Sequence, residues 1–128
     1  MFLSFLFLSI TLLLVGCSKD KIHESINDSV AIDARQVMNI VLINIEADID
    51  YESMDKKDKR TLDSFYDKYR DFDDCLKCSD NDEDILLFAL GSIARYMMGS
   101  YLESDIEHIK KSNGYIEKII TTGKYTED

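Results

Sequence analysis

"DEDILLFALGSIARYMMGSYL", residues 82–102, decides the fold. Three acids open it, and eighteen residues follow whose only charge is Arg95. Just upstream, Ser79 with Asp82 and Asp80 with Glu83 both have the spacing of an N-terminal capping box. The acids also complement the positive end of a helix dipole. The stretch therefore predicts a helix from about Asp82 through Leu102. It is apolar on most sides, and Ala89, Gly91, Ser92, Ala94, Gly99 and Ser100 offer small surfaces for close approach, so it is expected at the centre of the fold. A membrane span is the rival reading, opposed by Arg95 in the middle and the acids at the start.

Moving upstream, Leu62, Phe65, Tyr66, Tyr69, Phe72 and Leu76 mark one face of an amphipathic helix, with Asp and Lys opposite. The aromatic residues suit the core of a small bundle better than a ligand-stacking box. "DKKDK", residues 55–59, reads as a connection or as the first turn of that helix. Earlier still, Val30, Ala34, Val37, Met38, Val41, Leu42, Ile45 and Ile49 repeat at three and four, and Ile40 and Ile43 widen the face. The β-branched run "VMNIVLINI" also fits a strand, but its polar flanks favour helix. Residues 19–29, apolar only at Ile22 and Ile26, read as a polar tether merging into this helix.

Downstream, Ser104 and Glu107 again fit a capping box, so a break is expected near Glu103. "KKSNG", residues 110–114, reads as a stop: cations on the last carbonyls, then Asn-Gly for a left-handed turn. Tyr115, Ile116, Ile119 and Ile120 then form a last short helix. The expected fold is all-α, a small antiparallel bundle of four or five helices over 30–122, followed by a polar tail at 123–128. The absence of Pro and Trp and the presence of only 5 Gly fit long helices.

The chain has 128 residues, with 25 acidic against 15 basic and a net charge of -10. All of its charged side chains lie at or after Lys19. Such a balance argues against nucleic acid, whose phosphates need clustered Lys and Arg, and against attraction to anionic lipid. A basic protein partner suits it better. The acids Asp71, Asp73, Asp74, Asp80, Asp82, Glu83 and Asp84 are the expected partner-binding surface.

Residues 2–15 are apolar apart from Ser4, Ser9 and Thr11, too short to span a bilayer and of the length of a signal-peptide core. They end in Leu14-Val15-Gly16-Cys17, with Ser18, Lys19 and Asp20 following at once. This resembles the lipobox of bacterial lipoprotein signal peptides, although Met1 to Leu3 lacks that family's positive side chains. The resemblance implies cleavage between Gly16 and Cys17, leaving 1–16 as a removed signal and 17–29 as lipidated cysteine and tether. It further implies a diacylglyceryl group on the Cys17 thiol and acyl chains of the palmitate kind. Two or three acyl chains hold a protein on a membrane without help from an amphipathic surface. Ser18 after the cysteine resembles outer-membrane sorting, which implies a position facing the periplasm.

Cys75-Leu76-Lys77-Cys78 is the most specific feature of the domain. In an oxidising compartment the pair is expected to form a local disulfide, or a bridge between chains in a covalent homodimer. A thioredoxin-like context is missing, haem attachment fails because residue 79 is Ser, and a zinc site would have to recruit His23 and His108. A calcium loop aligned on Asp80 puts Ile85 at the required Gly and Gly91 at the bidentate Glu. No catalytic constellation is recognisable, so the expectation is a non-enzyme without a cofactor. Export, small size, helicity and acidity together look like periplasmic immunity proteins of contact-dependent antagonism systems, such as those opposing cell-wall amidase effectors. The alternatives are a structural or accessory lipoprotein of a secretion, conjugation or exclusion machine, and a redox protein using Cys75 and Cys78.

Overall fold

Three of the helices begin on a short polar side chain that accepts an otherwise orphaned backbone N–H. Asn27 takes the N–H of Ser29 at 2.9 Å and starts α1, Asp28–Glu46. Asp55 starts α2, Lys56–Tyr69, by taking the N–H of Lys57. Ser79 and Asp82 form the expected reciprocal capping box and start α3, Asp80–Met97. The fourth, α4, covers Glu103–Thr122. The computed structural model describes residues 21–71, 78–99 and 103–125, and every regular element among them is helical.

Hydrogen bonds between helices give their directions. Asp82 near the start of α3 accepts from Asn27 at the start of α1, and Tyr96 near the end of α3 donates to Ile49 just beyond the end of α1. The two helices are therefore parallel. Helix α4 runs the other way, with Glu117 near its end gripping Arg35 near the start of α1 through two bonds of 3.0 Å. Helix α2 is also reversed: Lys68 and Tyr69 at its end reach Asp33, while Tyr51 before its start bonds Asp63. Successive helices thus alternate in direction, and α2 and α4 flank a central parallel pair. Small residues take up part of the core on this pair, with Ala31 and Ala34 on α1 and Ala89 and Ser92 on α3 all buried. Leu62, Phe65 and Tyr69 of α2 and Ile109, Ile116, Ile119 and Ile120 of α4 complete the core.

Several expectations change. Helix α3 ends at Met97, short of Leu102, because Gly99 adopts φ 79° and turns the chain away. Gly91 and Ala94, expected as packing surface, are exposed. Residues 110–114 do not stop α4, and Ser104 lies inside its first turn. An interior Gly costs about 1 kcal/mol. Burying Ile109 and Ile116 on either side returns about 1.5–3 kcal/mol each, so the helix continues. Ile43, expected on the buried face of α1, is 56% exposed.

The expected tether also reads differently from residue 21 onward. Ile26 is buried, and Ile22 packs on the core. The His23 N–H donates to Ile120 at 2.7 Å, and the Ser79 hydroxyl donates to the Ser25 carbonyl at 3.3 Å. Residues 22–27 form a strap fastened across the starts of α1 and α3 and the end of α4. Two apolar residues in a polar stretch suffice because they fall where the strap crosses the bundle end.

Candidate functional site

The expected acidic surface divides into residues with separate duties. Asp82 is 1% exposed, and its two carboxylate oxygens accept the N–H groups of Asn27 and Ser79, each at 2.9 Å. It is a structural clamp and has no oxygen turned to a partner. Asp80 is exposed, Glu83 and Asp84 are half-buried, and Asp71 is exposed beside Arg70. Asp73 and Asp74 lie outside the described residues. Because α1 and α3 are parallel, their two positive dipole ends share one pole, where Asp28, Asp80, Asp82 and Glu83 offset them.

A second acidic surface, not anticipated, occupies the opposite pole. Glu46, Asp48, Asp50, Glu52 and Asp55 are all exposed in the turn from α1 to α2, and no basic residue intervenes. The turn is held in shape from below. Met54 is buried, the Tyr96 hydroxyl donates to the Ile49 carbonyl, and the Tyr51 hydroxyl donates to Asp63 at 2.6 Å. That last bond, with lesser contributions from burial and the surrounding carboxylates, pushes the Tyr51 hydroxyl up to about 12. A count of acids between residues 46 and 55 would have found this surface.

An open groove of about 360 Å³ lies between α1 and α2. Val37 and Phe65 contribute its apolar part, Gln36, Thr61 and Ser64 its neutral polar part, and Lys57, Arg60 and Lys68 its cations. Asp33 is the one carboxylate lining it among the described residues, and it accepts from Lys68 Nζ at 2.9 Å and the Tyr69 hydroxyl at 2.6 Å. Those bonds hold the Lys68 ammonium above its ordinary range, chiefly through Asp33. They also help burial to raise the Tyr69 hydroxyl. Beside the groove, Ile32, Gln36, Asn39 and Ile43 form an exposed, uncharged stripe on α1. The sequence carries the signal for this face: Lys57, Thr61, Ser64 and Lys68 recur at helical spacing without an acid among them.

Cys78 is half-buried against the core, while Cys75, Gly16 and Cys17 lie outside the described residues. His23 sits beside Ile120, and His108 is exposed on α4 twelve residues earlier, about 18 Å along the axis, so the two do not meet. Arg95 is paired with Asp105 across α3 and α4 at 2.7 Å. Among the described residues no helix is long and apolar enough to cross a membrane. No protein-family model, curated protein or solved structure matches this chain.

Proposed function

We propose that this chain is a lipid-anchored bacterial envelope protein whose helical domain binds a protein partner, in the manner of a periplasmic immunity protein that neutralises a toxin. The observation that carries the reading is Leu14-Val15-Gly16-Cys17 at the end of an apolar run, with charge immediately after. The docked strap supports it in a specific way. Only residues 18–21 separate Cys17 from Ile22, so the two α-carbons lie at most about 18 Å apart. A domain held by acyl chains on Cys17 keeps its strap pole toward the bilayer and its acidic turn, 46–55, away from it. The net charge of -10 then draws a basic partner toward the outward pole. In the oxidising envelope, Cys75 and Cys78 form a short bridge that closes the connection between α2 and α3.

The test has two arms. Cys17→Ala is expected to abolish labelling by a clickable fatty acid and to release or misprocess the protein. Continued labelling and unchanged membrane retention would overturn the anchor. In the second arm, the full chain is used to capture partners from envelope extract at low and moderate salt. A basic protein whose recovery falls with salt supports the partner reading. Recovery of a set of envelope-assembly proteins, insensitive to salt, would replace it with the accessory role.

A further inference from the structure

We propose that the groove between α1 and α2 receives an acidic amphipathic helix of a partner protein. The proposal rests on the domain being a protein-binding module and names one of its binding faces together with the chemistry that fits it. The first observation is charge. In a chain with ten more acids than bases, three cations, Lys57, Arg60 and Lys68, line one groove against a single carboxylate. That carboxylate, Asp33, is already occupied by Lys68 and Tyr69. Lys57 and Arg60 form no ion pair among the described residues. With acids so abundant, two unneutralised cations on one wall make a local positive site in a negative surround.

The second observation is shape. From Lys57 to Lys68 the cationic wall runs eleven helical residues, about 16 Å, or three turns. It is an open trough with Phe65 and Val37 at its base, unlike the enclosed cup that a single small anion needs. The third is the neighbouring stripe. Ile32 and Ile43 stand 57% and 56% exposed on α1, one on either side of Gln36 and Asn39. An uncharged strip with an exposed isoleucine at either end, flanked by a cationic strip of the same length, complements a helix with leucine-like residues on one face and carboxylates along its edge. Carboxylates on that edge meet Lys57 and Arg60 at one end and Lys68 at the other. The overall negative field repels acidic segments that lack the apolar face, which makes the groove selective.

The experiment uses the full chain in detergent micelles and two labelled synthetic helical peptides. They share one leucine face, flanked by glutamates in one and by lysines in the other. Fluorescence anisotropy is expected to show saturable binding of the glutamate peptide that weakens with salt. Lys57→Glu combined with Arg60→Glu is expected to weaken it by roughly tenfold or more. Ile32→Asp combined with Ile43→Asp should weaken it too. All four side chains are exposed, and unchanged circular dichroism confirms that both variants stay folded. Equal or tighter binding of the lysine peptide, or indifference to both variants, would overturn the proposal. So would full displacement by inorganic phosphate, which marks a small-anion site, or a dimer in sedimentation that both variants dissolve, which marks the face as covered by a second copy. The assay does not depend on lipid at Cys17. Loss of peptide binding with partner capture intact removes the groove alone, whereas loss of both removes the protein-binding reading.

Discussion

Asp82 and Asn27 stand fifty-five positions apart, yet one carboxylate oxygen of Asp82 accepts the Asn27 backbone N–H at 2.9 Å while the other caps Ser79. One buried side chain thus joins the start of α1 to the start of α3. Asp82→Ala leaves both N–H groups without their acceptor, and it is expected to cost about 2–4 kcal/mol. Asp80→Ala, two positions away on exposed surface, is expected to stay within about 0.5 kcal/mol. Urea unfolding of the full chain reads the difference. Equal stability of the two variants would show that Asp82 is no clamp.

The small buried residues of α1 and α3 make their own demand. Ala34 and Ala89 are both fully buried, so Ala34→Leu or Ala89→Leu forces extra volume into the core. Each is expected to destabilise by about 1–3 kcal/mol. Ala94→Leu on exposed α3 surface should change little. If all three variants unfold at the same denaturant concentration, the core does not require small side chains at Ala34 and Ala89.

The all-helical class and the cap at Ser79 were legible because both rest on local rules, periodicity and side-chain reach. The errors fell where tertiary burial outweighs a local preference. Asn113-Gly114 carries a stop signal, but Ile109, Ile116, Ile119 and Ile120 bury on one continuous stripe and carry the helix through it. Asp82 was legible as the capping partner of Ser79, but nothing local shows that Asn27 will bring a second N–H to it. That α1 packs directly on α3 was illegible for the same reason, since the contact arises between elements that are not neighbours in sequence. The groove is intermediate: each wall is readable as a helical stripe, but their juxtaposition is a property of the fold.

Three groups tie stability to alkaline pH with the same sign. Tyr51 is pushed up to about 12 against an ordinary value near 10, and Tyr69 and Lys68 are also raised. The folded state therefore holds protons that the unfolded chain gives up at lower pH. The stability they contribute is fully present below about pH 10 and is lost as pH climbs through the raised values. Thermal melting in steps above pH 9 is expected to show the decline. Tyrosinate absorbance should show one hydroxyl titrating near 12, and Asp63→Asn, which removes its largest cause, should bring that hydroxyl down. A Tyr51 titration indifferent to Asp63→Asn would refute the assignment.

Glycine substitutions should split by sign. At Gly91 an added Cβ meets nothing within 4 Å, so Gly91→Ala is expected to stabilise α3 by about 0.5–1 kcal/mol. Gly99 has φ 79° with open space around it, and Gly99→Ala should cost about 1–2 kcal/mol from backbone alone. Gly123 has φ 70°, and a Cβ there strikes the His23 ring and the Ser25 hydroxyl. Gly123→Ala should therefore also free the strap, seen as faster amide exchange at His23 and Ile26. A strap that stays protected in this variant would contradict the packing.

The strap has a mechanical consequence. A pull on the N-terminus meets His23 bonded to α4, Ser25 to the cap of α3, and Asn27 to Asp82. Load entering there spreads over three helices and strains those bonds together, so α1 is not peeled from the bundle one turn at a time. Tension applied at the strap is shared by α1, α3 and α4.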